Sequence, residues 1–138
     1  AVNQAKENGT TPLSIACQQG HIECARLLLA AGAAVEQADI LGVTPLYIAC
    51  QNGHLDIARL LLEAGAAVNQ AKQDGATPLF IASLNGHLEC VRLLLEASTA
   101  VNQAKDGGAT PLLVACQKGH LEVARLLLET GAAINQAM

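Results

Sequence analysis

Short bursts of apolar residues recur along the chain at one fixed distance. The burst Arg-Leu-Leu-Leu appears at Arg26, Arg59, Arg92 and Arg125, each 33 residues after the last. In the second copy, Leu55, Ala58, Leu61 and Leu62 follow the spacing i, i+3, i+6, i+7, which puts them on one face of a helix. The pattern predicts a helix from about Leu55 to Ala64, stopped by Gly65. Before it, Thr44 and Pro45 make a helix start. The threonine hydroxyl can cap the first turn, and proline suits the first helical position because its missing N–H would be unpaired there anyway. A helix of about two turns, Leu46 to Asn52, is predicted, ended at Gly53 where φ can turn positive. Thr-Pro-Leu recurs at Thr11, Thr44, Thr77 and Thr110, and Gly-His at Gly20, Gly53, Gly86 and Gly119, again in steps of 33 without an insertion. A fixed period of this length signals stacked helix-turn-helix units.

Helices this short do not hold alone in water, so each pair must bury its faces against the pairs on either side. The first helix carries small residues (Ala49-Cys50, Ala82-Ser83, Ala115-Cys116) and the second carries leucines. Slim inner helices and bulky outer ones predict a curved all-α solenoid with protruding turns and a concave face along the first helices. It is expected to be one domain over residues 1–138, with units at about 8–40, 41–73, 74–106 and 107–138 after the tail of another unit at 1–7. It opens on Ala1-Val2-Asn3-Gln4 and closes on Ile134-Asn135-Gln136-Ala137 without polar capping units, so it reads as a segment of a longer array. Ile22 and Leu29 at the front, and Leu121 and Leu128 at the back, are expected to be exposed and to promote end-to-end self-association.

Composition narrows the function. Half the chain is apolar (51%), yet Tyr47 and Phe80 are its only aromatic residues. No apolar run approaches the roughly 20 residues of a membrane span. No charged-then-apolar leader opens the chain, so no signal peptide is expected. A net charge of -4 with eight Lys plus Arg argues against a nucleic-acid surface, which needs a clustered basic face. The one regular basic series has an acid three residues before each arginine (Glu23, Asp56, Glu89, Glu122), as in solvated helix pairs. The five cysteines, Cys17, Cys24, Cys50, Cys90 and Cys116, are odd in number and fall at two repeat positions. That fits small buried residues, reduced thiols and an intracellular, cytoplasmic setting. A Cys17–Cys24 bridge is the alternative.

Candidate chemistry is sparse. His21, His54, His87 and His120 should be one helix layer apart, about 8–10 Å, too far for two to share a metal ion. Each is expected to serve the start of its own second helix. A translational repeat presents one group at intervals along a line, whereas catalysis needs different groups in one pocket. No enzyme activity, cofactor or metal is expected.

The run Gly-x-Thr-Pro-Leu-x-x-Ala, then Gly-His-Leu-Glu, Leu-Leu-Leu-Glu-Ala-Gly-Ala and Val-Asn, resembles the ankyrin repeat over nearly the whole chain. The resemblance implies L-shaped units of a turn and two antiparallel helices, and a partner surface formed by the turn tips and first helices. The chain departs from the family in four places. Where the family has His after Thr-Pro-Leu stand Ser14, Tyr47, Phe80 and Leu113. Where it has Asp before Val-Asn stand Ala34, Ala67 and Ala133. Glu36 stands where other units have Asn69, Asn102 and Asn135. Ser98 replaces the helix-ending glycine, so Ser98→Gly is expected to stabilise the fold.

The turn tips and the ends of the first helices differ from unit to unit, as expected of a binding scaffold. The alternative is an engineered or excised array serving as a structural spacer or stability model without a specific partner. In the binding reading, a protein or peptide centres on the second and third units and touches Ile40, Leu41, Val43, Tyr47, Phe80 and Leu84. Gln18, Gln51, Gln117 and Lys118 form the rim. Tyr47 and Phe80, about 10 Å apart, would be its aromatic anchors. The competing possibility is that both rings only fill the space left by the family's histidine.

Overall fold

The computed structural model describes residues 1–97 and 100–131. Eight helices lie in that span: α1 (Pro12–Gln19), α2 (Ile22–Ala30), α3 (Pro45–Gln51), α4 (Leu55–Glu63), α5 (Pro78–Leu84), α6 (Leu88–Glu96), α7 (Pro111–Gln117) and α8 (Leu121–Glu129). They form four pairs, and among the described residues all regular structure is helical. Ser98, with the glycine-replacement expectation, lies outside the described residues, as does the closing stretch from Ile134 to Ala137.

Each first helix starts as its sequence directs. Thr11, Thr44, Thr77 and Thr110 are extended and buried. Their hydroxyls accept from the N–H three residues on, at 3.1, 3.3, 3.1 and 3.2 Å. A cap of this kind is worth about 1 kcal/mol. In α1 the Ser14 hydroxyl reciprocates by accepting from Thr11 N–H at 2.9 Å. Each second helix buries a stripe, although not quite the expected one. In α4, Ile57, Ala58 and Leu61 are buried while Leu55 and Leu62 are half-buried. Ile57 lines a recess shared with Gly20 and Ile22 of the preceding unit and lies outside the i, i+3, i+6, i+7 set.

The first helices of successive pairs pack on one another more extensively than the second helices do. Alanines at the first-helix contacts (Ala16, Ala49, Ala82, Ala115), all buried, allow this approach, and leucines hold the second helices further apart. The first helices therefore line the inside of the curve.

The histidines require a correction. No histidine side chain caps its own second helix. Instead the ring reaches back to the preceding unit: Nε2 of His54, His87 and His120 lies 3.2, 3.0 and 3.0 Å from the carbonyl oxygens of Gln18, Gln51 and Leu84. Those oxygens are near the C-terminal ends of first helices, where the helix itself leaves carbonyls unpaired. The ring thus ties one unit to the next.

The thiols follow the same layering. Cys17, Cys50 and Cys90 are buried, as are Ile57 and Val123 at the repeat position of Cys90, while Cys24 in the first unit and Cys116 in the last are exposed. All five cysteines are free, and no Cys17–Cys24 bridge forms: Cys17 is buried and Cys24 exposed. The arginine–acid pairs form at 3.4–3.8 Å on the outer helices. They are well exposed and contribute little to stability. At the ends, Leu121 and Leu128 are exposed as expected, but at the front Ile15 and Leu27 are exposed in place of Ile22 and Leu29, which are half-buried.

Candidate binding surface

Four turns project from the stack, each closed by a backbone bond: Lys6 N to Thr10 O, Asp39 N to Val43 O, Lys72 N to Ala76 O and Lys105 N to Ala109 O, at 2.9–3.0 Å. The tips are tied to one another. Ile40 N donates to Asn8 O at 3.1 Å, Gln73 N to Leu41 O at 2.9 Å and Asp106 N to Asp74 O at 2.6 Å. Side chains hold the inside of the turn. Asn8 Oδ1 accepts from Thr10 N and Asp74 Oδ1 from Ala76 N, both at 3.0 Å. These are turns stabilised by a short polar side chain bonded two residues on.

The second tip solves the same problem differently. Its equivalent of Asn8 and Asp74 is Leu41, which has no acceptor. The carboxylate has moved two residues upstream, and Asp39 Oδ1 accepts from both Leu41 N at 2.8 Å and Val43 N at 3.0 Å. Ile40 and Leu41 are thereby free to be apolar, and they stand 63% and 53% exposed. Val43, directly after the turn, is half-buried.

Tyr47 and Phe80 are not exposed anchors. They are buried, at 4% and 6% exposure, between the first helices of adjacent units. Lys72 and Lys105 lie over their rings, each ammonium 5.8 Å from the ring centre, within reach of a cation–π attraction. Asp74 joins the two lysines at 3.6 and 3.9 Å. Burial, and then the charge of Asp74, push the Tyr47 hydroxyl up to about 12. In the first unit the ring is replaced by Ser14 and the lysine by Asp39, and the space becomes a polar recess of about 350 Å³ reaching Gln18 and Gln51.

The remaining candidates spread along the floor. Leu84 is half-buried at the end of α5, and Gln18, Gln51, Gln117 and Lys118 are exposed at the ends of their first helices. At ~1.5 Å per residue these ends lie about 10 Å from the starts of their helices, and further from the tips. The structure therefore gathers Ile40, Leu41 and Val43 at one tip and puts Leu84 at the far edge of the floor, with lysine-covered rings between. The lysine covers were missed. Their signal was present: slot and cover are 25 residues apart, and the pairs read Ser14 with Asp39, Tyr47 with Lys72 and Phe80 with Lys105.

Among the described residues no cluster of three or more His, Cys, Asp or Glu could hold a metal ion, and no helix is long and apolar enough to cross a membrane. What repeats instead is a turn, a capped helix, a histidine tie and a second helix. The family model for ankyrin repeats in three copies matches residues 1–72 and 65–138. The chain belongs to the ankyrin-repeat family. A search of curated proteins finds no match. Ankyrin repeats are generally protein-interaction modules and typically non-catalytic.

Proposed function

We infer that this ankyrin-repeat array is a non-catalytic scaffold that holds a protein or peptide on its turn tips and concave floor, centred on the second tip. One observation carries the reading. In the second repeat the turn-holding carboxylate sits at Asp39, and the tip it frees carries two exposed apolar side chains, Ile40 and Leu41. Exposed apolar residues there add nothing to the packing of the repeat, and an apolar patch with a polar surround fits a partner's anchor point. Val43 extends the patch inwards. Gln18, Gln51 and Leu84 continue the contact along the floor, and Gln117 and Lys118 form its far rim. Tyr47 and Phe80 support this floor from below, and the lysines above them offer positive charge to the partner. A spacer needs no individual tips, and these four differ from one another. The net charge of -4 speaks against nucleic acid or an anionic membrane as partner.

The test is capture from a cell lysate with the native chain and with Ile40→Asp/Leu41→Asp, followed by titration of the recovered protein. The double change should weaken binding by at least ~2 kcal/mol, about 30-fold, with the urea midpoint unchanged. Undiminished affinity would refute the reading.

A further inference from the structure

One layer of the concave floor is built unlike the two that follow it. Ser14, Tyr47 and Phe80 share one repeat position, and Asp39, Lys72 and Lys105 share the position 25 residues further on. Between the second and third repeats, and again between the third and fourth, a buried ring fills the layer and a lysine closes it, the ammonium 5.8 Å from the ring centre. Between the first and second repeats both halves change together. Ser14 leaves the layer unfilled, and a carboxylate stands where the closing ammonium would be. What remains is a recess of about 350 Å³, walled entirely by residues of the first and second repeats. A space that the next two layers fill from within the chain is open here, with its charge reversed.

The chemistry of the walls selects the occupant. Asp39 Oδ1 is held by the N–H groups of Leu41 and Val43, while Oδ2 has no partner among the described residues. No cation among the described residues pairs with Asp39, Lys6 included. Asp74, by contrast, has two lysines at 3.6 and 3.9 Å. The Asp39 carboxylate is therefore a fixed acceptor with an unmatched charge. The Ser14 hydroxyl does not compete for a ligand, because it donates to Thr11 O and accepts from Thr11 N–H, both at 2.9 Å. Gln18 and Gln51 line the recess with amide groups, and Val43 and Ile48 give it an apolar wall. Methylenes along an apolar wall and a charged head at a carboxylate suit arginine and lysine. An acidic side chain would be repelled, and a neutral one would leave the charge unmatched.

We propose that this recess takes one basic side chain, arginine or lysine, of the bound protein or peptide. The proposal rests on the binding reading above and names the partner's chemistry at that surface. Asp39 is contiguous with Ile40 and Leu41, so the partner carries its basic residue beside the apolar residues that cover the tip. Where Lys72 and Lys105 close the layer, the filled space and the like charge both exclude a second basic side chain. The contact is therefore a single one, and it fixes which way along the floor the partner lies.

A random peptide display library selected on the native chain supplies the probes. Selected peptides should carry arginine or lysine next to apolar residues, and changing that basic residue to glutamine should weaken binding about 10-fold or more. Asp39→Asn keeps the turn acceptor and removes only the charge, and Ser14→Phe fills the recess. Each should weaken the basic peptides by a similar factor, with the helical signal unchanged in circular dichroism. Asp39→Asn should weaken the glutamine peptides no further. Peptides lost on Ile40→Asp/Leu41→Asp but bound equally well by Asp39→Asn would overturn the recess and leave the tip reading standing. Basic peptides lost on Asp39→Asn but kept on Ile40→Asp/Leu41→Asp would support the recess and overturn the tip. Selection of peptides without basic residues overturns the proposal, and a chain that selects no peptide overturns it together with the binding reading.

Discussion

The ring of His87 in the third repeat binds the carbonyl oxygen of Gln51 in the second, at 3.0 Å. The same oxygen accepts from Asn85 Nδ2 at 3.0 Å, so one helix end is tied twice to the next repeat. Removing the ring loses a hydrogen bond and opens space between two layers. His87→Ala should lower stability by about 1–2 kcal/mol, read from the urea midpoint. His21→Ala, at an exposed ring, should change it by less than ~0.5 kcal/mol. Equal effects would mean that the histidines act within their own repeats.

The glycine before each histidine offers a matched comparison. Gly53 and Gly119 share a left-handed backbone, φ 72° and 75°. A Cβ at Gly53 would stand 2.7 Å from the His87 ring, and one at Gly119 would meet nothing within 4 Å. Alanine at either site bears the left-handed cost of about 1 kcal/mol. Gly53→Ala should cost a further ~1–3 kcal/mol from overpacking, measured by thermal or urea unfolding.

The helix pairs, their starts at Thr-Pro and their turns were legible in the sequence because each depends on residues within one repeat. What was not legible depends on the next repeat. The reach of His54 back to Gln18, the burial of Ile57 and the lysines lying on Tyr47 and Phe80 all join residues 25 to 40 apart. Spacing within one helix carries no record of them. The aromatic rings looked like anchors because their company at Ile40 and Leu41 is apolar. The structure separates the two: the rings pack between layers, and the apolar tip stands outside them.

Ser83 occupies the position held by Cys17 and Cys50, fully buried, and its hydroxyl has no hydrogen-bond partner. An unsatisfied buried hydroxyl costs roughly 1–3 kcal/mol. Ser83→Cys, which restores a polarisable atom in the same space, should stabilise the array by about 1 kcal/mol. Denaturant melts under reducing conditions check this, and a lower midpoint would show that Ser83 is satisfied in solution.

Burial pushes the Cys17 thiol up from 9.0 to about 12, and burial with the nearby Asp74 charge moves Tyr47 from 10.0 to about 12. Both groups lose protons more readily in the unfolded chain. Their contribution to stability is therefore complete below about pH 9 and falls as pH rises towards 12. Unfolding midpoints across that range should fall, and Cys17→Ala should lessen the early part of the fall, to which the buried Cys50 thiol, also pushed up, contributes as well. A flat profile would contradict the burial of both groups.

Hydrogen–deuterium exchange on the complex with a captured partner tests the binding surface most directly. Binding at the second tip predicts new protection over residues 39–43 and the start of α3, extending to the end of α5. The arginine-lined helices α4 and α6 should remain unchanged. Protection confined to Arg59, Arg92 and their neighbours on those outer helices would contradict it.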